Sequence, residues 1–197
     1  MTTIDDIERA VATFRGQAAG LTAADLERAT PCVGWDVRTL IGHVIGFFQA
    51  VADALHGERV DLVTAMATVD DVPGRTLDDA ATAMTRAWRE PGALDRTLAT
   101  TIRDMPAALA SRIVVGDALL HAWDLARARG HELMIPDDLA EAQLALMQQY
   151  YDPATRGPGR GFDVAVDCPA GAPVQERLVA LSGRNPAWSA AGTSHGR

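Results

Sequence analysis

Lysine is absent from this chain of 197 residues, so its 18 basic residues are all arginine. Schiff-base chemistry, lysine-anchored pyridoxal phosphate and the lysine of a phosphate-binding P-loop are therefore excluded. Against 26 acidic residues, the arginines leave a formal net charge of −8. They are also scattered along the chain, whereas contacts with nucleic-acid phosphates require clustered cations. The charge pattern therefore predicts no nucleic-acid partner.

Cysteines and long apolar runs are also scarce. Cys32 and Cys168 are far apart and form no C-x-x-C pair, so we expect isolated reduced thiols rather than a disulfide framework or a thiolate zinc site. No segment approaches the roughly 18 apolar residues of a membrane span. The N-terminus, MTTIDDIERAVATF, lacks the basic and apolar regions of a signal peptide. These absences predict a cytoplasmic protein without a membrane partner.

What the sequence does contain is helical periodicity. Apolar residues recur about every 3.6 positions, and capping residues, prolines and glycines divide the pattern into segments. The stretch from Leu94 to Met105 is irregular and is predicted to be extended or loop. Helices are predicted at about 3–18, after Thr22 (one short helix), and at about 36–56, 76–90, 106–129, 137–152 and 174–181. The fold class is therefore predicted to be all-α.

The same pattern predicts three parts of the chain. Residues 1–152 contain the long helices of a bundle. Residues 153–184 are rich in glycine and proline and end in a short helix, which indicates a small C-terminal appendage. Residues 185–197 are small and polar apart from Trp188, so we expect a flexible tail.

One predicted helix carries ionisable side chains on the face that should be buried. In VVGDALLHAWDL, residues 114–125, Asp117 and His121 lie about 40° apart around the helix, and Asp124 returns to within about 20° of Asp117. Apolar residues such as Ile113 and Leu120 share this stripe. Because burying an unpaired carboxylate costs several kcal/mol, these groups must be neutralised, hydrogen-bonded or bound to a cation. The spacing D-x-x-x-H suits a metal ion.

A third candidate ligand, His43, lies on the apolar stripe of the predicted helix 36–56. If the two helices are neighbours, His43, Asp117 and His121 could hold a zinc ion with one open coordination position, as catalytic zinc sites do. Asp124 lies one turn after His121 and could accept that imidazole's second N–H, so it is predicted to support the site without binding the metal.

Ordinary structural roles stay open for each of these residues. A histidine on an apolar face is most often a hydrogen-bonded core residue. The Asp117–His121 pair could be a helix-face ion pair, although such pairs belong on the solvated face. The tryptophans at 35, 88 and 123 are predicted to be packing residues.

Three segments resemble one protein family: TPCVGWDVRTLIGHVIG at residues 30–46, VVGDALLHAWDLARARG at 114–130 and GAPVQERLVALSGRNPAW at 171–188. On these segments the chain is identified as a member of the DinB/YfiT-like metal-binding superfamily, in the branch related to the N-terminal domain of mycothiol-dependent maleylpyruvate isomerase. The resemblance implies a DinB-like four-helix bundle. It also implies a divalent metal, Zn²⁺ or Ni²⁺, held by a histidine from an early helix and two residues four apart on a later one. Those positions are His43, Asp117 and His121.

Two features depart from the isomerase pattern. The first residue of the later pair is glutamate in the isomerase and histidine in other branches, whereas this chain has the shorter Asp117. The isomerase also carries a C-terminal domain that helps to bind its substrate, and 197 residues leave room only for a small appendage. We therefore do not carry over the isomerisation of maleylpyruvate itself.

The leading hypothesis is a metal-dependent transferase or isomerase that uses a low-molecular-weight thiol. A bound cation lowers the pKa of the thiol and presents a thiolate to an electrophile. The resemblance suggests mycothiol, or alternatively bacillithiol. The space beside Gly42 and Gly46 is expected to admit this small-molecule substrate, and no catalytic residue is predicted.

Two rival hypotheses stay open at this point. One is a non-catalytic metal-binding or small-molecule-sensing helical bundle, and the other is a metal-free helical interaction protein. The sequence also leaves open whether the chain forms a homodimer.

Overall fold

The structure is a computed structural model that describes residues 2–157 and 162–190, and it is mostly helical. In chain order the helices are α1 (Ile4–Ala18), α2 (Ala23–Leu26), α3 (Val37–Leu55), α4 (Gly74–Trp88), α5 (Ala107–Ala128), α6 (Asp137–Gln149) and α7 (Val174–Leu181). The predicted all-α fold class is confirmed.

Four long helices form the bundle. Helix α1 packs against α5 and α3 packs against α4, while contacts of α3 with α5 and of α1 with α4 close the bundle. Their apolar stripes meet in one hydrophobic core, whose largest fully buried side chains include Phe14, Phe48, Trp88, Met84, Ile41 and Leu119. The contact of α3 with α5 positions the candidate site, because it joins the helix of His43 to the helix of Asp117 and His121.

Side-chain caps begin the first three helices where the sequence predicts them. Thr3 and Thr22 each form a capping box, with Asp6 and Asp25 respectively. Asp36 accepts a hydrogen bond from the backbone N–H of Thr39 at the start of α3. Losing such a cap typically costs about 1 kcal/mol.

Helix α4 begins earlier than the sequence predicts. Its first residue is Gly74, whereas the sequence predicts a helix from about residue 76, with Thr76 as its cap. The carbonyl of Pro73 accepts a hydrogen bond from the N–H of Leu77, and the backbone of Pro73 already has helical dihedrals. Because this bond closes a first turn through Thr76, that residue lies inside the helix.

The irregular stretch before α5 is mainly turn and loop, as predicted. It contains a 3₁₀ turn, Ala93–Asp95, and a two-residue antiparallel pair formed by β1 (Thr97–Leu98) and β2 (Met105–Pro106). The strand pair leads directly into α5 at Ala107. This short ribbon fixes the point at which α5 enters the bundle.

The C-terminal part of the chain lies against the bundle through α6 and α7, which pack on one another. Leu178 and Val179 of α7 belong to the hydrophobic core. The division into bundle, appendage and tail stays a prediction, and residues 191–197 of the tail lie outside the described residues. Within the described ranges, no helix is both long and apolar enough to cross a membrane.

Two glycines of α3 seat a loop against the helix. The N–H of Ala67 donates a hydrogen bond of 2.9 Å to the carbonyl of Gly42. A Cβ atom at Gly42 would lie 2.7 Å from the Ala67 carbonyl oxygen, and one at Gly46 would lie 2.7 Å from the backbone of Met66. The space beside these glycines is therefore filled by backbone, and the expectation that it admits a substrate is wrong.

Substituting Gly46 tests this packing. We expect Gly46→Ala to lower the free energy of unfolding by about 1–3 kcal/mol, because overpacking a close contact typically costs that much. The control is Gly16→Ala, at an exposed position of α1. No atom lies within 4 Å of its Cβ position, so it should raise stability by roughly 0.5–1 kcal/mol through helix propensity alone. Urea unfolding measures both, and equal stability of Gly46→Ala and wild type would contradict the close loop contact.

Candidate metal site

The three predicted metal ligands come together between α3 and α5. Nε2 of His43 lies 3.2 Å from Oδ1 of Asp117, and Nε2 of His121 lies 3.5 Å from the same oxygen. The ligand atoms of all three side chains lie within 4.8 Å of one another. Asp117 and His121 reach this point from successive turns of α5, which is the one-face geometry expected of residues four apart.

One carboxylate oxygen of this group has no hydrogen-bond partner among the described residues. Oδ2 of Asp117 is buried and, among the described residues, no group donates a hydrogen bond to it. A buried carboxylate oxygen without a donor is costly, so it needs a proton donor or a cation. Together with two imidazole Nε2 atoms, the Asp117 carboxylate completes a nitrogen and oxygen donor set that fits Zn²⁺ or Ni²⁺.

Asp124 stands on the other side of His121. Its Oδ2 lies 2.9 Å from Nδ1 of His121, and the Asp124 side chain is fully buried. In this contact Nδ1–H of His121 donates to the Asp124 carboxylate, which leaves Nε2 directed at Asp117. The arrangement is the carboxylate–histidine support that commonly orients metal-binding imidazoles. That Asp124 supports the site without binding the metal stays a prediction, and its contact with Nδ1 of His121 is consistent with that role.

Arg184 and Cys32 surround Asp124. The Arg184 guanidinium donates to both carboxylate oxygens of Asp124, at 2.8 Å from Nε to Oδ1 and 2.8 Å from Nη2 to Oδ2. The Cys32 thiol lies 3.1 Å from Oδ2 of Asp124 and accepts a hydrogen bond from Arg184. Cys32 and Cys168 are both free thiols. Cys32, His121 and Asp124 could also face a cation, but the Arg184 guanidinium already supplies positive charge there.

Aromatic rings pack against the imidazoles of His43 and His121. The Trp35 ring stacks on His121, with centroids 5.9 Å apart, and also contacts His43 at 5.1 Å. Phe47, one turn after His43 on α3, stacks on that imidazole with ring centroids 6.0 Å apart. These rings limit the rotation of both imidazoles and reduce their contact with water.

The charges around His121 shift its pKa and the pKa values of Asp117 and Asp124. Burial opposes ionisation of Asp117, but the His121 and His43 imidazoles outweigh it and hold the pKa of Asp117 well below its usual range. Burial likewise opposes ionisation of Asp124, but Arg184 and His121 lower its pKa to about 2. Burial favours neutral His121, yet Asp117 outweighs it and, with Asp124, holds the pKa of His121 well above its usual range. Without a metal, the site therefore holds two carboxylates, a guanidinium and a protonated imidazole.

The sequence did not indicate three of the residues in this site. Trp35 was predicted to be a packing residue and Cys32 an isolated thiol, and no role was predicted for Arg184. The loop of Cys32 and Trp35 and the Ser-Gly-Arg after α7 both lie in segments that carry the family resemblance, which was the available signal. No local periodicity could have shown that they meet at Asp124.

Comparison with known proteins places the chain in a family. Residues 7–126 match the family described as "Mycothiol maleylpyruvate isomerase N-terminal domain". The chain belongs to this family. The match contains His43, Asp117, His121 and Asp124, and it confirms the resemblance inferred from the sequence.

Relatives of similar length occur in Mycobacterium tuberculosis. The uncharacterized proteins MT0763 of strain CDC 1551 / Oshkosh and Rv0738 of strain ATCC 25618 / H37Rv are each 29% identical over 177 residues. Each alignment covers 90% of this chain and 94% of the relative. The similarity therefore extends beyond residue 126 into the C-terminal part of the chain.

Two solved structures share the fold. Crystal structures of the mycothiol-dependent maleylpyruvate isomerase, one of a histidine-to-alanine mutant and one of the isomerase itself, match with TM-scores of 0.62 and 0.54. Each is 19% identical, and each match covers 82% of this chain and 77% of the other. At this identity the likeness concerns the fold, and it confirms the predicted DinB-like helical bundle.

Removing one imidazole tests the ligand set. We expect His43→Ala and His121→Ala each to abolish stoichiometric binding of Zn²⁺ while leaving the circular dichroism spectrum of the bundle intact. The matched control is His56→Ala, because His56 ends α3 on the surface and pairs with Glu90 away from the site. Metal analysis of the purified variants measures the outcome. Equal metal content in all four proteins would contradict the site.

The dependence of metal affinity on pH follows from the raised pKa of His121. A metal must displace the proton that Asp117 stabilises on Nε2 of His121, whereas Asp117 itself is already ionised. Lowering the pH keeps His121 protonated, so affinity should fall by about tenfold per pH unit for each proton displaced. Because the pKa is raised, the fall should begin above the usual imidazole value of about 6.5. Competition titrations with a chelator measure it, and an affinity independent of pH would contradict imidazole ligation.

Proposed function

We propose that the protein is a divalent-metal-dependent transferase or isomerase that uses a low-molecular-weight thiol such as mycothiol. The observation that carries the proposal is the convergence of two imidazole Nε2 atoms on a buried carboxylate with an unpartnered oxygen. The names of the solved neighbours and of the matched family, which mention mycothiol and maleylpyruvate isomerase, support a thiol as the co-substrate.

In this proposal the protein's residues bind and orient. His43, Asp117 and His121 hold Zn²⁺, or Ni²⁺ as the alternative, and Asp124 keeps the proton of His121 on Nδ1 so that Nε2 can coordinate. When bound, the metal lowers the pKa of a thiol and stabilises the thiolate that attacks an electrophile. Trp35 and Phe47 keep water from the imidazoles.

The charge balance of the site favours an anionic fourth ligand. Arg184 neutralises Asp124, and Asp117 offsets one of the two positive charges of a divalent ion. Neutral imidazoles add no charge, so one positive charge stays uncompensated in a largely buried site. A thiolate would supply the missing negative charge, whereas a neutral ligand would not.

A pocket lined by Trp35 could hold the rest of the substrate. It measures about 580 Å³ and lies between the loop 29–36 and the C-terminal residues Gly183, Asn185 and Trp188. Trp35 lines this pocket and also contacts both imidazoles. We infer that the bulk of the thiol or its electrophile lies here, and not beside Gly42 and Gly46.

The test combines metal spectroscopy with turnover. Protein loaded with Co²⁺ is titrated with mycothiol, and a sulfur-to-cobalt charge-transfer band is expected in wild type but not in His121→Ala. Conversion of maleylpyruvate to its isomer in the presence of the thiol, and consumption of the thiol by a haloalkyl electrophile, are then followed with and without metal, and acceleration by the loaded protein is expected.

Two results would contradict the proposal. Metal binding without a sulfur band or turnover would favour a non-catalytic metal-binding or sensing bundle. Absence of stoichiometric metal binding by wild type would remove the metal from the proposal altogether.

A further inference from the structure

Arg184 links the C-terminal part of the chain to the centre of the site. It follows α7 by three residues, and only 7% of its surface is exposed. Its Nε and Nη2 atoms bind the two oxygens of Asp124, and its Nη1 lies within hydrogen-bond distance of the carbonyl and hydroxyl oxygens of Ser182. Nη2 also donates to the Cys32 sulfur. The guanidinium is thus held by Asp124 and Cys32 of the bundle and by Ser182 of its own segment.

This contact restrains the carboxylate that faces His121. A guanidinium bound through two N–H groups fixes the plane of a carboxylate, which a single point charge does not do. The same Oδ2 that accepts from Arg184 lies 2.9 Å from Nδ1 of His121. The plane of Asp124 therefore sets the direction in which the His121 ring points.

The direction of the ring decides where its other nitrogen lies. With Nδ1–H of His121 donating to Asp124, Nε2 faces Oδ1 of Asp117, and the His121 ring lies against the ring of His43. Loss of Arg184 would leave Asp124 buried with an uncompensated charge and free to turn, because its other partners are His121 and the weakly donating Cys32 thiol.

We propose that Arg184 is a positioning residue of the metal site: it holds Asp124 so that His121 presents Nε2 toward His43 and Asp117. The role in metal binding rests on the function proposed above. The role in orienting His121 does not, since it follows from the contacts of Arg184 with Asp124 and of Asp124 with His121. The C-terminal segment is in this way a part of the site.

The experiment compares Arg184→Gln and Arg184→Lys with Arg156→Gln. Arg156 is the matched control because it also anchors the C-terminal segment, through a 2.8 Å bond to the carbonyl of Leu181, but contacts no residue of the site. Two quantities are measured: the affinity for Zn²⁺, and the exchange rate of the His121 Nδ1 proton by nuclear magnetic resonance in both metal-free and loaded protein.

We expect Arg184→Gln to weaken Zn²⁺ binding by roughly 10- to 100-fold, as loss of an outer-shell partner does. Arg184→Lys keeps the positive charge but not the two N–H groups that bind both oxygens of Asp124. Its loss of Zn²⁺ affinity should therefore be smaller, within roughly 10-fold. In both variants the His121 Nδ1 proton should exchange faster than in wild type. Arg156→Gln should lower stability while leaving the affinity and the proton signal unchanged.

Several results would overturn the proposal. Unchanged affinity and an unchanged Nδ1 signal in Arg184→Lys and Arg184→Gln would do so. An equal loss in Arg156→Gln would show that anchoring the segment, and not the contact with Asp124, matters. If Arg184→Gln does not fold, Arg184→Lys alone decides. If wild type binds no Zn²⁺, the proposed function fails, and the Nδ1 exchange still decides whether Arg184 orients His121.

Discussion

The His121 imidazole lies between two buried carboxylates, and much of the architecture serves to keep these charges balanced. Asp117 faces its Nε2 and Asp124 faces its Nδ1. Each carboxylate has a further cationic or imidazole partner, which is Arg184 for Asp124 and His43 for Asp117. Since isolated buried charges cost several kcal/mol, these contacts must form together. The requirement ties together α3, α5, the loop before α3 and the segment after α7.

Small residues allow the helices that carry the site to be covered closely. Gly42 and Gly46 flank His43 and let the loop at 65–67 touch the backbone of α3. Gly116, immediately before Asp117, faces the side chain of Gln143 on α6, and a Cβ there would lie 2.7 Å from its Oε1. Both helices that carry candidate ligands are therefore closely contacted by neighbouring segments near the site. This packing limits the space for movement of His43 and Asp117.

Sequence periodicity was sufficient to predict what lies within one helix. The placement of Asp117, His121 and Asp124 on a single face of α5 follows from 3.6 residues per turn, and the placement of His43 on the inner face of α3 follows in the same way. Their meeting required only that the two helices be neighbours, which the family resemblance supplied. The contacts between distant segments were beyond this reasoning. Arg184 lies 60 residues from Asp124. The loop at residues 65–67 is joined to α3 by the backbone hydrogen bond from Ala67 to Gly42, which no residue pattern indicates.

The position of Arg184 also bears on how far the site extends along the chain. The family match ends at residue 126, just after Asp124, and it includes every candidate ligand but not Arg184. Asp124 is fully buried, so the bundle cannot hold it ionised at low cost without a cation beside it. That cation comes from the segment after α7, whose Leu178 and Val179 pack into the core. Packing of α7 and neutralisation of Asp124 therefore support each other: the apolar contacts bring Arg184 to the site, and the ion pair holds the end of α7 against α5. The bundle up to residue 152 alone would keep the three candidate ligands but lose the cation that balances the carboxylate behind His121.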